Sequence, residues 1–279
     1  METRIPFGID VNTGRLVDVF DVERGKACGC VCPSCHGGLV AKHGDINIWH
    51  FAHDPNADNK ADIVCEYAFW TSVQLMASQI LSEITSIMTP ACIRYIQRDK
   101  QTIPEAVLHI EHRTLKAELK SVICDAIFIQ QGIEVGVVLK IPGRANPYSR
   151  TPFSEWKDWK KGILEIDLLD LESVLFGSTD VESFKQILLD RIVGEVDYKS
   201  WKLHPKEARY FVETGIRPSD KPSKPPIQPS NLVYDGLVPI ENNKRSVGRF
   251  FCYECTHTWN SVANHQCPQC RQKIYKKMY

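Results

Sequence analysis

Residues 115–141, LKAELKSVICDAIFIQQGIEVGVVLKI, decide how the rest of the chain is read. Leu115–Ile129 and Ile133–Ile141 are extended apolar runs, and Gln130-Gln131-Gly132 between them has the form of a hairpin turn. Upstream, Phe69/Trp70, Val73, Met76/Ala77, Ile80/Leu81 and Ile84 recur at helical spacing, and Pro90 limits that helix on its C-terminal side. Ile93–Gln97 and Val107–Ile110 read as further strands. Downstream come a short amphipathic piece at 156–161, a strand GILEIDL at 162–168 and a helix over 181–193. Helix, strand meander, helix, strand and helix predict an α/β domain, not a bundle or a sandwich.

On the N-terminal side, residues 3–52 alternate short apolar runs with turns. Gly14 divides Ile9–Phe20, and His43-Gly44-Asp45 separates Leu39-Val40 from Ile46–Phe51, which suits a hairpin. DPNADNKAD at 54–62 is a polar loop. On the C-terminal side, PSDKPSKPPIQP at 218–229 has five prolines in twelve positions, the composition of an extended linker. The expected division is a β-rich metal module at 1–64, an α/β domain at 65–212, a linker at 213–240 and a Cys-rich ribbon at 241–279.

Composition sets the outer limits. The 279 residues are 43% hydrophobic and 24% charged with zero net charge, an ordinary globular balance. No run approaches the roughly 18 apolar residues of a membrane-spanning helix, and METRIPFGID lacks the apolar core of a signal peptide. A cytoplasmic protein with no membrane partner is expected. Formal charge runs −3 over 1–64, −2 over 65–210, 0 over 211–240 and +5 over 241–279, so the tail permits contact with nucleic acid. The eleven cysteines are odd in number and nine fall in two clusters, which reads as zinc binding and not as a disulfide set.

The C-terminal cluster is Cys252-x-x-Cys255, eleven residues, then Cys267-x-x-Cys270. Two such knuckles aim four thiolates at one tetrahedral Zn²⁺. A 39-residue tail has too little core to fold without that metal. The ribbon suits nucleic acid, through Arg249, Arg271, Lys273, Lys276 and Lys277, or a protein partner. The N-terminal cluster is Cys28-Gly-Cys30-Val-Cys32-Pro-Ser-Cys35, then WHFAH at 49–53, then Cys65. Cys32 and Cys35 form the clear knuckle, with His53 and Cys65 chosen to complete the site. His50 is the competing histidine, and Cys28 or Cys30 is an alternative ligand or a small buried hydrophobe.

CGCVCPSCHGGLVAKHG, WHFAH and Cys65-Glu66 at a helix start resemble the N-terminal region of competence protein CoiA-like proteins. CDAIFI (124–129), LEIDL (164–168) and SWKLHPKEAR (200–209) extend the likeness more weakly, to about residue 210. The resemblance implies a zinc-finger-like module joined to a restriction-endonuclease-like PD-(D/E)XK nuclease domain. Such nucleases hold Mg²⁺ or Mn²⁺ between an Asp on one strand and an acid two residues before a Lys on the next, often with a helical Glu. Residue by residue, the resemblance implies Asp125 for the first acid, Lys140 for the Lys and Glu66 for the helical acid. The second acid is missing, because Val138 stands in its place. Glu134 lies four residues away, about 13 Å along a strand, and Glu165 or Asp167 is the candidate migrated acid.

Two functions follow from this reading. One is a metal-dependent nuclease acting on DNA, with two structural zinc ions. The other is a nucleic-acid-binding or adaptor subunit on the same fold with an eroded centre. Trp156, Lys157, Trp159, Lys160 and Lys161 interleave aromatics with cations, which suits either a strand-binding surface or simple packing. No P-loop, dinucleotide fingerprint, nucleophile elbow or HExxH motif is present.

Overall fold

The computed structural model describes residues 4–44, 48–56, 65, 67–96, 98–145, 147–148, 160–177, 183–216, 218–219 and 222, together with the strands at 248–252, 258–261 and 275–278. The chain divides into two compact units, 1–224 and 225–279.

The first unit begins with β1 (Phe7–Asp10), β2 (Leu16–Asp18) and β3 (Cys30–Val31), paired antiparallel in the order β2-β1-β3. β4 (Leu39–Lys42) and β5 (His50–His53) then form the hairpin that the apolar runs predict. Phe51 ties the two sheets together by exchanging backbone hydrogen bonds with Ile5 at 3.0 and 2.7 Å. Next comes α1 (Ala68–Glu83), whose apolar stripe of Phe69, Val73, Met76, Ala77, Ile80 and Leu81 is buried. The helix ends at Glu83, seven residues before Pro90. Ile84-Thr85 brings β-branched residues suited to extended backbone, and β6 (Ser86–Thr89) follows directly.

Two hairpin-like pairs come next. β7 (Cys92–Ile96) pairs with β8 (Asp99–Ile103), and β6 pairs with β9 (Ala106–His109). The central sheet is built from β10 (His112–Leu119), β11 (Val122–Gln130), β12 (Ile133–Lys140), β13 (Lys161–Asp167) and β14 (Lys199–Leu203), in that spatial order. The run 115–129, expected as one strand, is two strands reversing at Lys120-Ser121. Both residues adopt positive φ (45° and 70°) without the glycine that would have marked the turn. The expected turn at Gln131-Gly132 has positive φ at both positions (49° and 73°), which glycine accommodates at the second. β10, β11 and β12 form an antiparallel meander, β13 lies parallel to β12, and β14 closes the edge antiparallel. The amphipathic piece expected over 156–161 lies largely outside the described residues.

Around the sheet lie α2 (Leu171–Leu175), α3 (Phe184–Val193) and α4 (Pro205–Thr214). Ala126, Phe128, Val137, Leu139, Leu164 and Ile166 belong to a large core that runs without a break into Phe7, Phe51 and α1. A smaller core gathers Leu119, Val122, Cys124, Ile127, Val138 and Ile163. The boundary expected at 64/65 therefore falls inside one compact unit with a shared core.

The second unit contributes β15 (Gly248–Cys252), β16 (Thr258–Ser261) and β17 (Tyr275–Met278), antiparallel in the order β16-β15-β17. Cys252 ends β15 opposite Tyr275, while Cys255, Cys267 and Cys270 lie outside the described residues. No described helix is long and apolar enough to cross a membrane.

Candidate functional site

The first constellation is a Cys/His cluster. Cys32 follows β3, and the turn after it is closed by His36 N–H donating to the Cys32 carbonyl (2.9 Å) and Cys32 N–H to Gly37 (2.8 Å). Ser34 N–H points at the Cys32 sulfur at 3.4 Å. That turn delivers Cys32 and Cys35 to one side, β5 delivers His53 at its end, and Cys65 arrives just before α1. The four ligand atoms lie within 4.8 Å of one another. Cys32 Sγ stands 3.8 Å from Cys65 Sγ, and Cys35 Sγ 3.2 Å from His53 Nε2. A tetrahedron with Zn–S bonds of about 2.3 Å has S···S edges of about 3.8 Å, so the donor set fits zinc. Burial pushes the Cys32 thiol up to about 12, so a thiolate there calls for a compensating cation.

The other candidate ligands point elsewhere. Cys28 donates to the Leu39 carbonyl (3.4 Å) and Cys30 to the Cys28 carbonyl (3.1 Å), both within the core. His50 Nδ1 is satisfied by the Ile48 carbonyl at 2.8 Å. With Cys32, Cys35, His53 and Cys65 thus drawn together, the comparison with known families becomes specific. Residues 21–62 match the family model of the competence protein CoiA N-terminal domain. Three of the four clustered residues fall inside the CoiA-like segment, and Cys65 follows it. No curated protein and no solved structure matches the chain.

The second constellation lies at the ends of β11, β12 and β13. The β11–β12 ladder runs from Gln130↔Ile133 to Ala126↔Val137, and its continuation sets Asp125 opposite Val138. Across the parallel ladder, Val138 pairs with Glu165 and Lys140 with Asp167. Asp125, Val138 and Glu165 therefore form a row across three strands, with Lys140 and Asp167 one step further along. Val138 is only 1% exposed and sets an apolar side chain between Asp125 and Glu165, where the resemblance called for an acid.

Each acid of the site already has a cation. Asp125 Oδ2 accepts from Leu139 N–H at 2.8 Å and from Arg144 Nη1 at 2.7 Å. Glu165 Oε1 pairs with Lys202 at 2.8 Å, and Tyr148 lines the cleft close enough for the Glu165 charge to act on its hydroxyl. Asp167 Oδ2 pairs with Lys140 at 2.6 Å. The Lys140 ammonium is held above its usual range by Asp167. Burial pushes the Asp167 carboxyl up, but the Lys140 and Leu169 hydrogen bonds outweigh it and leave it lowered. Val138, Lys140, Arg144, Tyr148, Glu165 and Lys202 line a cleft of about 490 Å³. Among the described residues, three or more possible metal ligands converge only in the Cys/His cluster, and the acids of the cleft form no such group.

Of the sequence-derived residues, Asp125 and Lys140 come to neighbouring strands at this cleft, joined through Arg144 and Asp167 to the same surroundings. Glu66 lies outside the described residues, as does the side chain of Cys252. Glu134 is taken by Lys161 at 2.9 Å, away from the row. Arg144, Tyr148 and Lys202 were not singled out from the sequence. The available signal was the Pro142-Gly143-Arg144 turn, which bends the chain straight after a strand carrying a site residue.

Proposed function

We propose that this is a CoiA-like nucleic-acid-binding protein. In this reading zinc at Cys32, Cys35, His53 and Cys65 locks the N-terminal module. The cleft of the α/β domain, on a nuclease-like PD-(D/E)XK scaffold, grips the phosphate backbone of DNA. The observation that carries it is the pairing of Asp125, Glu165 and Asp167 with Arg144, Lys202 and Lys140. Carboxylates satisfied internally are poor recruits for Mg²⁺, which relies on one or two such ligands. Three cations in one cleft suit phosphate directly. The antiparallel meander with Asp125 on one strand and Lys140 on the next supports the nuclease-like scaffold. The C-x-x-C pairs of the tail supply a second zinc and a further surface for DNA or a protein partner.

A metal-dependent DNA nuclease is the second reading, favoured by one observation. Glu165 stands beside Val138 in the strand register and reaches the cleft, where a migrated acid would serve. The two readings part on a simple assay. Binding to labelled single- and double-stranded DNA that weakens steeply with salt, without cleavage in Mg²⁺ or Mn²⁺, is the expected result. Cleavage in Mn²⁺ that Asp125→Ala abolishes while binding survives establishes the nuclease instead.

A further inference from the structure

We infer that Arg144 stands in for the metal ion of this cleft and contacts a phosphodiester directly, an inference that rests on the DNA-binding reading above. Asp125 is 6% exposed, and an isolated carboxylate at such depth is costly. Its counter-charge is the Arg144 guanidinium, which spends Nη1 on both Asp125 (2.7 Å) and the Leu139 carbonyl (3.2 Å). Nε and Nη2 have no hydrogen bond among the described residues, yet the side chain is 22% exposed and lines the cleft. A guanidinium fixed through one nitrogen keeps the rest of its planar fork for a ligand. That fork matches two oxygens of a phosphate in a way an ammonium cannot.

The surroundings hold the arginine in place. Gly143, with φ of 74°, turns the chain back over the sheet end immediately before Arg144. Tyr148 lines the same cleft beside Glu165. The loop is thus held to Asp125 through Arg144 and lies beside Glu165. Lys140 and Lys202 extend the positive lining, and Lys140 is the more open at 44%. A divalent ion at Asp125 would have to displace Arg144 and leave its positive charge beside the newcomer. A phosphate can add to the open side of the guanidinium without displacing Arg144 from Asp125.

The test measures fluorescence anisotropy with a 5′-labelled single-stranded oligonucleotide and its duplex, each in Mg²⁺-free buffer without chelator and in Mg²⁺ at matched ionic strength. The full chain is expected to bind without Mg²⁺, and no more tightly when Mg²⁺ is added. Arg144→Gln should weaken binding about tenfold and lower the salt slope by about one. Arg144→Lys, which keeps the charge and loses the fork, should fall between. Arg144→Gln leaves Asp125 unpaired, so the double variant Asp125→Asn/Arg144→Gln guards against misfolding and should lose the same affinity. DNA binding that requires Mg²⁺, or that neither Arg144→Gln nor the double variant weakens, overturns the inference while the DNA-binding reading stands. Failure of the wild-type chain to bind either DNA overturns both.

Discussion

At the scale of single residues, Asp125 owes its surroundings to an irregularity in two neighbouring strands. Leu115 and Ala126 form one cross-strand pair and Ala117 and Cys124 the next, so a regular ladder would put all four on one face. Instead Leu115 and Ala126 pack with the large core, Ala117 and Cys124 with the small one. The change of face falls at Lys116, with φ of 47°, opposite Asp125. It accompanies a carboxylate that reaches the Leu139 N–H across the seam. Val138→Glu would bury a third carboxylate between Asp125 and Glu165. We expect a loss of about 2–4 kcal/mol in buffer without Mn²⁺. Mn²⁺ should restore much of it in the variant and leave the wild type unchanged, as thermal melts in each buffer will report. A variant as stable as wild type without Mn²⁺ would mean that the buried Val138 position tolerates a carboxylate. Gly136→Ala makes a different point. Its Cβ would lie 2.5 Å from Cys124 Sγ and 2.9 Å from Ile163 Cδ1, so about 1–3 kcal/mol should be lost through overpacking. Urea denaturation tests that figure, and an unchanged midpoint contradicts it.

At the scale of elements, the metal module and the α/β core are joined at the start of α3. Asp18, at the end of β2, is fully buried and accepts from Lys185 N–H (2.6 Å) and Ser183 Oγ (3.1 Å), as well as from Phe20 N–H (3.2 Å). Burial raises its carboxyl from 3.8 to about 6, against the pull of those hydrogen bonds. A raised acid binds its proton more tightly in the folded state. Its contribution is therefore complete below about pH 4 and lost as pH rises through about 6. The swing is about 3 kcal/mol for a shift of about two units. His204 acts oppositely: burial lowers it from 6.5 to about 4, so its contribution is present above pH 6.5 and lost on acidification through pH 4. Asp18→Asn should thus lose more stability relative to wild type at pH 4.5 than at pH 7.5. Parallel stability curves for the two proteins across that range would refute this.

At the scale of the whole molecule, residues 1–224 share one core, so the Cys3His site is a fastener for a larger unit and not for a detachable finger. Chain 1–224 should fold alone and carry one zinc, while the full chain carries two, as elemental analysis of the purified proteins will count. Removing the zinc should reach beyond the module. His53→Ala together with Cys65→Ser is expected to lower the melting temperature of unit 1 as one cooperative transition. A module that melts separately, leaving the α/β transition in place, would contradict the shared core.

The sequence by itself determined the α/β class, the presence of a helix carrying the Phe69–Ile84 stripe, the hairpin turning at Gln131-Gly132 and the knuckle at Cys32 and Cys35. These depend on local spacing, and local sterics and periodicity are enough to produce them. It did not reveal the turn at Lys120-Ser121, since neither residue advertises positive φ. It favoured His53 and Cys65 over His50, Cys28 and Cys30 but could not draw them together, because only the fold brings chain segments up to 33 residues apart within one coordination sphere. The fate of Asp125 was also decided by tertiary structure alone. Whether a strand carboxylate is left open to a metal or neutralised by an arginine nineteen residues away depends on where a loop returns, and no local pattern encodes that.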